Sequence, residues 1–436
     1  MNILHIAPHL GGGVGKAIAG ICLHKIKEWK NHIILLENPK KNQFVNDAIG
    51  NGIKIDICPL TEYIYSCMRA ADIVVINWWA HPKMIRFLSE LPPISCRLVL
   101  WSHINGCTYP YLPFDFCNVF DQIIFTTEYS YNNPLWKRSE KHAIWNKSFL
   151  VYGMGYYEPY AVIPKHDYEI GDVFRVGYIG TLNYGKLSSR FIEYCTAAIE
   201  KIENIRFVLV GEISDQLLMD ISDSGYKDKF YITGHIDDVE KYYLSFDVFG
   251  YILNNDSYAT TENSLIEAMS FGLPVIVADN NLEKCIIHDG QNGYVVNSSG
   301  EYADELLYLR ENKYERIKIG KKARQYVVET YSEERNFHCF YDVCIAALQK
   351  EKSIHDLVSV LGTEPVGWFL KFADRDGFVF KKYLEAPSSE NRNNVKNCKP
   401  IFRERAKSSI FHYEQEFPKC KEFRKLADVL RKEERE

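Results

Sequence analysis

Short, continuous apolar runs alternate with longer helical stretches over most of the 436-residue chain. A run without polar alternation suits a strand of a parallel sheet, because helices cover both faces of such a sheet. The alternation of strand and helix predicts an α/β fold of right-handed βαβ units. The predicted strands are NILHI, HIILL, IKIDIC, DIVVINW, RLVLW, QIIFT and SFLVY in the first part, and FRVGYIG, RFVLVG, KFYITG, DVFGYIL, PVIVAD and GYVV in the second.

These runs divide into two groups and predict two doubly wound, Rossmann-like sheets that face each other across a cleft. We expect an N-terminal domain over 1–160 and a second domain over 170–350, joined by the linker EPYAVIPKHDYEIGD at 158–172. A mostly helical extension of unassigned role follows at 351–436, in which the polar stretch APSSENRNNVKN is expected to be a loop. Because ligands bind beyond the carboxyl ends of parallel strands, functional residues are expected in the loops there.

Composition narrows the functional classes. The formal net charge of −5 argues against a nucleic-acid-binding protein, whose domains are usually basic. The twelve cysteines follow no disulfide or zinc-site spacing, which indicates reduced thiols. The start MNILHIAPHL is typical of a first strand and not of a signal peptide, so a cytoplasmic location is expected.

The segment after DVFGYIL carries the most informative site signals. A polar loop leads into a short helix that is expected to begin near Asn263 and to end before Gly272. Unpaired amides and the dipole at a helix start favour a bound anion, while the carboxylate of Glu267 could hold vicinal sugar hydroxyls. Together these features indicate a nucleoside diphosphate. The alternative is that Glu262 and Glu267 are ordinary charges at a helix start.

The stretch EAMSFGLPV at 267–275 resembles the signature of glycosyltransferase family 4, whose members are retaining enzymes of the GT-B fold. RFVLVGE, ITGHIDDVEKYYLSFDVF and IIHDGQNGYVV resemble further segments of that family. The resemblance covers about residues 1–345 and is strongest over 174–297. It implies sugar transfer from a nucleotide-diphosphate sugar without a metal ion or other cofactor.

The resemblance also implies roles for single residues of the second domain. Lys186 in GTLNYGKL would stabilise the leaving diphosphate, but Thr181 stands where the family has an Arg. The family's acid that contacts the donor sugar would fall at Ala259, so Glu262, or else Asp256, is expected to replace it. The expected donor-binding residues are Gly180, Thr181, Asn263, Ser264, Leu265 and Glu267.

The glycine-rich segment HLGGGVGKAIAG at 9–20 allows other interpretations. A P-loop is rejected, because Leu10 stands where that motif needs glycine and Ala17 lacks a hydroxyl group. A dinucleotide fingerprint fits in part, with Lys16 in the place of its third glycine and Glu37 as the acid for a ribose. This leaves a nicotinamide-dependent oxidoreductase as a weaker alternative.

The family resemblance accounts for this segment better, as a loop that brings backbone amides close to the acceptor and the donor phosphate. Its expected members are Gly12, Gly13, Val14, Gly15 and His9. His103, after the strand RLVLW, matches a histidine that contacts the donor sugar in the family. The expected catalytic residues are thus Lys186, His103 and Glu262, and no metal ligands are expected.

The function that follows is a retaining glycosyltransferase, with a nucleotide-sugar donor and a glycan or lipid-linked acceptor, in the synthesis of bacterial surface polysaccharide. The departures at Ala259 and Thr181 leave a non-catalytic nucleotide-sugar-binding partner subunit open, and an epimerase of the same fold is a further alternative. The apolar cluster PVGWFLKF at 365–372 could contact the inner face of a membrane, although packing within the protein is favoured.

Overall fold

The computed structural model describes residues 1–24, 26, 28–39, 42–152, 170–236, 238–403 and 408–431. Most of the linker predicted at 158–172 lies outside these residues. The chain divides into two compact units. The first unit comprises Met1–Tyr157, Tyr258–Thr260 and Asn336–Glu436, and the second comprises Glu158–Ser257 and Thr261–Arg335.

A seven-stranded parallel sheet forms the centre of the first unit, with strand order β3-β2-β1-β4-β6-β7-β8. All seven strands predicted in this part of the chain are present. Their bounds are β1 Asn2–Ala7, β2 Lys30–Leu35, β3 Lys54–Ile57, β4 Ile73–Trp78, β6 Leu98–Ser102, β7 Gln122–Phe125 and β8 Ser148–Leu150. A short antiparallel pair, β5 (Ser95–Cys96) with β15 (Ser353–Ile354), was not predicted.

The second unit is built on a six-stranded parallel sheet of order β11-β10-β9-β12-β13-β14. Its strands also match the predicted runs and are β9 Phe174–Ile179, β10 Ile205–Val210, β11 Phe230–Ile232, β12 Val248–Tyr251, β13 Val275–Ala278 and β14 Tyr294–Val296. In both sheets the chain starts in the middle, moves to one edge and then returns to build the other side. This order is the doubly wound arrangement expected from the sequence.

Burial explains why the apolar runs are continuous. All six residues of the central strand β4 are buried, because helices cover both faces of the sheet. The edge strands β3 and β11 contain no fully buried residue, and their sequences include charged or polar residues. The predicted α/β architecture with two parallel sheets and a helical C-terminal region is therefore confirmed.

Helices connect successive strands and then continue to the end of the chain. Within the first unit they are α1 Gly12–Leu23, α2 Gln43–Gly50, α3 Thr61–Ala70, α4 Pro82–Ser89, α5 Phe114–Asn118 and α6 Arg138–Trp145. The next are α7 Phe191–Lys201, α8 Asp215–Asp223, α9 Glu240–Ser245, α10 Asn263–Ser270, α11 Ser299–Glu311 and α12 Lys313–Thr330. The C-terminal ones are α13 Glu333–Leu348, α14 Leu357–Leu361, α15 Pro365–Glu385, α16 Ser389–Lys396, α17 Pro400–Arg403, α18 Ile410–Glu416 and α19 Lys421–Arg431.

The C-terminal helices are part of the first unit. Phe372 packs against Trp78 of β4, with ring centroids 4.9 Å apart, and Phe369 lies 5.0 Å from Tyr413. Trp368, Phe369 and Phe372 are 3%, 0% and 0% exposed, so the aromatic cluster at 365–372 fills a core. Its expected alternative role at a membrane surface does not fit this burial.

One domain boundary and one predicted loop differ from the sequence-based expectation. The first unit resumes at Asn336 and not near residue 350, because Phe337 and Phe340 of α13 pack in the core beside β1. The polar stretch expected to be a loop forms α16, which Ser388 caps by accepting a hydrogen bond from the Asn391 amide. Capping and one buried face stabilise a helix even where most residues are polar.

In the described part of the chain, no helix combines the length and the apolar character needed to cross a bilayer. All twelve cysteines are free thiols in the structure.

Candidate functional site

Two glycines in close contact follow the carboxyl ends of the neighbouring strands β9 and β10. Gly180 and Gly211 directly follow these strands, with φ values of +152° and +150°. A β-carbon on Gly211 would lie 1.9 Å from the carbonyl oxygen of Gly180, so only glycine fits there. Thr181 is exposed, and its carbonyl oxygen accepts a hydrogen bond of 3.1 Å from the Tyr178 hydroxyl. Gly180 and Thr181 therefore lie at the strand edge where a ligand is expected.

Lys186 and Glu262 form a close ion pair in the second unit. The Lys186 ammonium lies 3.0 Å and 2.7 Å from the two carboxylate oxygens of Glu262. The Tyr251 hydroxyl donates a further short hydrogen bond to Glu262. The side chain of Glu262 is 1% exposed and that of Lys186 is 23% exposed. An ammonium group has three donors, and two of them suffice for these contacts, so Lys186 retains a donor for a ligand.

This pairing corrects the role expected for Glu262. Glu262 precedes α10 in a left-handed backbone conformation, with φ 51° and ψ 60°, and its carboxylate is buried against Lys186 and Tyr251. It therefore does not present an acid to a donor sugar. Asp256, the second choice, is exposed. Ala259 belongs to the first unit, where the Asn105 side chain donates a 2.9 Å hydrogen bond to its carbonyl oxygen.

Helix α10 begins at Asn263, as the sequence predicted, and positions Glu267 one turn later. Asn263 and Ser264 are half-buried at the helix start, whereas the Leu265 amide donates to the Glu262 carbonyl at 3.0 Å. Leu265 is thus engaged within the turn, and the expected contribution of its amide to anion binding does not fit this structure. The half-buried Glu267 carboxylate accepts a hydrogen bond of 2.9 Å from the Tyr243 hydroxyl, which orients it.

A second buried acid, Glu283, was not singled out from the sequence. It is 1% exposed, and burial raises its pKa to about 8, with repulsion from Glu262 as a further cause. Its environment therefore favours the protonated form at neutral pH. The segment NNLEK resembles a charged surface turn, so the sequence offered no signal for this residue.

A cavity of about 340 Å³ lies at the carboxyl ends of β12, β13 and β14. Its lining includes Arg190, Asn254, Asn280 and Asn297. Asn254 contacts the segment that carries Lys186, because the Asn254 backbone amide donates a hydrogen bond to the Lys186 carbonyl oxygen at 2.9 Å. Polar side chains around such a volume are suited to the hydroxyl groups of a small ligand.

In the first unit, His103 follows β6 and is held in one tautomer. The Asn77 side chain donates to the Ile6 carbonyl at 3.2 Å, which leaves its oxygen to accept from His103 Nε2 at 3.0 Å. Burial lowers the pKa of His103 to about 3, so the ring is neutral. With its proton on Nε2, His103 carries an acceptor lone pair on Nδ1.

The glycine-rich segment forms the first turn of α1 and not a separate loop. Gly12 and Gly13 are exposed at this helix start, and Val14 is half-buried. A β-carbon on Gly15 would lie 2.6 Å from the Leu10 backbone, so this glycine is required for close packing. The first amides of a helix have no partner within it, which keeps Gly12 and Gly13 suitable for an oxygen ligand.

His9 lies just before this turn, and its Nδ1 accepts a hydrogen bond of 2.9 Å from the Gly11 amide. Among the described residues, one group could supply three metal-ligand atoms within 4.8 Å of one another, and it consists of His9, Glu37 and His81. The expectation of metal independence stays a prediction.

Comparison with known proteins relates the second unit to a family. Residues 173–312 match the family model described as glycosyl transferases group 1. The poly(ribitol-phosphate) alpha-N-acetylglucosaminyltransferase of Staphylococcus aureus (strain COL) is 26% identical over 164 residues, which are 36% of this chain and 33% of that protein. The alpha-monoglucosyldiacylglycerol synthase of Acholeplasma laidlawii is 28% identical over 157 residues, 34% of this chain and 38% of that protein. The chain thus spans between a third and two fifths of the length of these curated relatives.

The fold extends the similarity beyond that segment. HepE of Anabaena, solved in complex with UDP and glucose, superposes with a TM-score of 0.61 over 78% of this chain and 98% of its own, at 14% identity. At this identity the likeness concerns the fold alone. Residues 173–312 are therefore related to the group 1 glycosyltransferases, and the chain has the GT-B fold of two parallel sheets.

Proposed function

We propose that this protein is a retaining glycosyltransferase of family 4 that moves a sugar from a nucleoside-diphosphate sugar to a hydroxyl group of a glycan or lipid-linked acceptor. The observation that carries the proposal is the arrangement of Lys186 and Glu267 beside the start of α10, within the segment that matches the group 1 family model. The relatives' names support the acceptor class, since one concerns a ribitol-phosphate polymer and the other a glucolipid. A role in surface polysaccharide synthesis and a cytoplasmic location are part of this proposal.

In the proposed reaction, the bond between the anomeric carbon and the diphosphate oxygen breaks, and its electron pair stays on the diphosphate. Lys186 and the amides of Asn263 and Ser264 stabilise the developing charge, which is electrostatic preorganisation. The acceptor oxygen then bonds to the anomeric carbon on the same face, and its proton passes to the leaving phosphate. Glu267 holds the ribose hydroxyls, oriented by Tyr243.

The donor is proposed to be a UDP-sugar, because HepE was solved with UDP and glucose. The test is release of UDP from UDP-glucose, UDP-galactose and UDP-N-acetylglucosamine, with and without EDTA. Configuration of the product is read by NMR of the anomeric proton. Turnover with retained configuration in EDTA supports the whole proposal, whereas an inverted product or a strict need for a divalent ion contradicts the corresponding part.

A non-catalytic nucleotide-sugar-binding subunit is the second candidate. The burial of Glu262 favours it, because the first choice to replace the acid that the family has at the position of Ala259 is then unavailable, which leaves the exposed Asp256. Calorimetry separates the two candidates. Binding of UDP-sugars without turnover, with water or with any acceptor tested, would support the binding subunit.

A further inference from the structure

An open cavity of about 550 Å³ lies along one face of α16, in the C-terminal part of the first unit. This volume falls within the range of sites that bind small molecules. Most of the lining comes from α16 and the residue that caps it, at positions that share one face of a helix. The lining includes Tyr383, Ser388, Ser389, Arg392, Asn393 and Lys396.

The turn before α16 and the opposite face of this helix hold the cavity in place. Ser388 accepts a hydrogen bond of 3.1 Å from the Asn391 amide, and the Asn391 side chain donates to the Ala386 carbonyl oxygen at 2.8 Å. Val395 is fully buried where α16 packs against α15 and α19. A wall that is fixed before a ligand binds lowers the entropic cost of binding.

Two cations share the face of α16 that lines this cavity. Arg392 and Lys396 are four residues apart and half-buried, so their charges lie side by side on the helix. Like charges at this spacing repel each other and destabilise a helix. Lys396 lies in the last turn, where the helix dipole favours a cation, but Arg392 lies in the middle of α16 and has no such compensation.

The acids near α16 do not neutralise these two cations. Among the described residues, no carboxylate pairs with Arg392 or Lys396. Glu390 of α16 is exposed and does not line the cavity. Acids of the neighbouring helices α15 and α19 have cations of their own. These pairs are Glu385 with Lys381 at 3.8 Å, Asp376 with Lys399 at 3.5 Å and Asp428 with Arg431 at 3.0 Å.

The guanidinium group of Arg392 indicates the kind of ligand. Its Nε atom is buried and has no hydrogen-bond partner in the described part of the chain. A buried donor without an acceptor is unfavourable, so an oxygen ligand at this atom would be stabilising. Nε–H and the adjacent Nη–H form a fork that matches two oxygens of a phosphate group, and the ammonium group of Lys396 supplies a second charge for the same anion.

We propose that this cavity binds the phosphate group of a phosphorylated polyol such as glycerol phosphate, held by Arg392 and Lys396. The Ser389 hydroxyl and the Asn393 amide supply donors and acceptors for the hydroxyl groups of the polyol. Glycerol phosphate occurs free and as the headgroup of glycerophospholipids, and both sources present the same chemistry. The site takes no part in the proposed sugar transfer and does not rest on it.

The test is calorimetric titration of the full chain with glycerol 3-phosphate at low salt, with glycerol as the uncharged probe. Arg392→Gln should weaken binding of the phosphate by about tenfold or more, because a charged donor is lost. Lys425→Gln is the matched control, since it removes the same charge from an exposed position of α19 outside the cavity. It should bind as the wild type does, and glycerol should bind to none of the proteins.

Lys396→Gln is a second variant that leaves the buried Nε of Arg392 in place, and it should also weaken binding. Urea unfolding followed by tryptophan fluorescence checks that each variant is folded, and Lys396→Gln decides the outcome if Arg392→Gln is not. Release of UDP from UDP-sugars should be unchanged in both variants. If UDP-sugars are not turned over at all while the phosphate binds, the proposed function fails and the phosphate site stands.

Vesicles of phosphatidylglycerol, compared with vesicles of phosphatidylcholine, identify the source of the phosphate. Sedimentation with phosphatidylglycerol that Arg392→Gln abolishes, without binding of free glycerol 3-phosphate, assigns the site to a lipid headgroup. Binding of the free compound assigns it to a soluble phosphorylated polyol. Equal binding by Arg392→Gln and Lys425→Gln, or no binding of either probe by the wild type, would overturn the site.

Discussion

The two sheets place different chemistry at equivalent edges. In the second unit the edge is ionic, with Lys186 paired to the buried Glu262 and a second buried acid at Glu283. In the first unit the Nε2 atoms of His9 and His81 lie 3.8 Å and 3.4 Å from one carboxylate oxygen of Glu37. The ammonium group of Lys186 suits a diphosphate, whereas the first unit places imidazole rings beside a carboxylate. One fold thus carries two different sets of side chains on the residues that follow its strands.

The largest expected effect is a loss of stability that is confined to the first unit. Phe372→Ala should destabilise the first unit by about 3–5 kcal/mol, because it removes a fully buried ring beside Trp78. All seven tryptophans belong to this unit, so urea unfolding followed by tryptophan fluorescence reports on it alone. The control Phe378→Ala, 68% exposed, should change stability by less than about 0.5 kcal/mol. Equal losses in both variants would contradict the packing of the C-terminal helices described here.

The next effect concerns the charge of Lys186. Lys186→Met should slow transfer by about 100- to 1000-fold, as expected when one group that stabilises the leaving charge is removed. It also leaves Glu262 buried without its cation, so the second unit should lose stability.

The double variant Lys186→Met, Glu262→Gln distinguishes these two consequences, because it removes the unpaired charge as well. Stability should return while transfer stays slow. Hydrogen exchange of the β12 and β13 amides measures the first quantity and UDP release the second. Recovery of transfer in the double variant would show that Lys186 acts only by neutralising Glu262.

A smaller loss is expected from Glu267→Gln. Removing a charged acceptor for the ribose should weaken UDP binding by about 1.5–3 kcal/mol, measured by calorimetry. Tyr243→Phe removes only the neutral donor that orients Glu267 and should cost about 1 kcal/mol. If neither variant changes UDP affinity, Glu267 is a structural charge at the start of α10.

The smallest expected effect is the change in stability per pH unit that the titration of Glu283 causes. Its pKa is raised to about 8 in the folded protein, so from about pH 5 to pH 8 the unfolded chain has lost a proton that the folded chain retains. Stability of the second unit should therefore fall with rising pH, by at most about 1.4 kcal/mol per unit. Glu283→Gln should remove this dependence, and Glu311→Gln, at an exposed position, should retain it. Hydrogen exchange at pH 5.5, 6.5 and 7.5 measures the difference.

The sequence by itself determined the fold, because each buried parallel strand must be a continuous apolar run and these runs are visible without any partner. It also predicted where α10 begins, since the EAMSFGLPV stretch is a local signal. Local polarity misled in one place, where α16 forms from a stretch expected to be a loop.

Only the tertiary structure decided what the charged and polar groups contact. Glu262 was expected to face a sugar, but a left-handed backbone conformation and the neighbouring Tyr251 bring its carboxylate to Lys186, 76 residues away in the chain. Glu37 and His81 come from distant segments, and nothing in their local sequences predicts that His81 Nε2 lies 3.4 Å from the Glu37 carboxylate. Their pairing depends on distances across the fold, whereas strand and helix signals depend on neighbours along the chain.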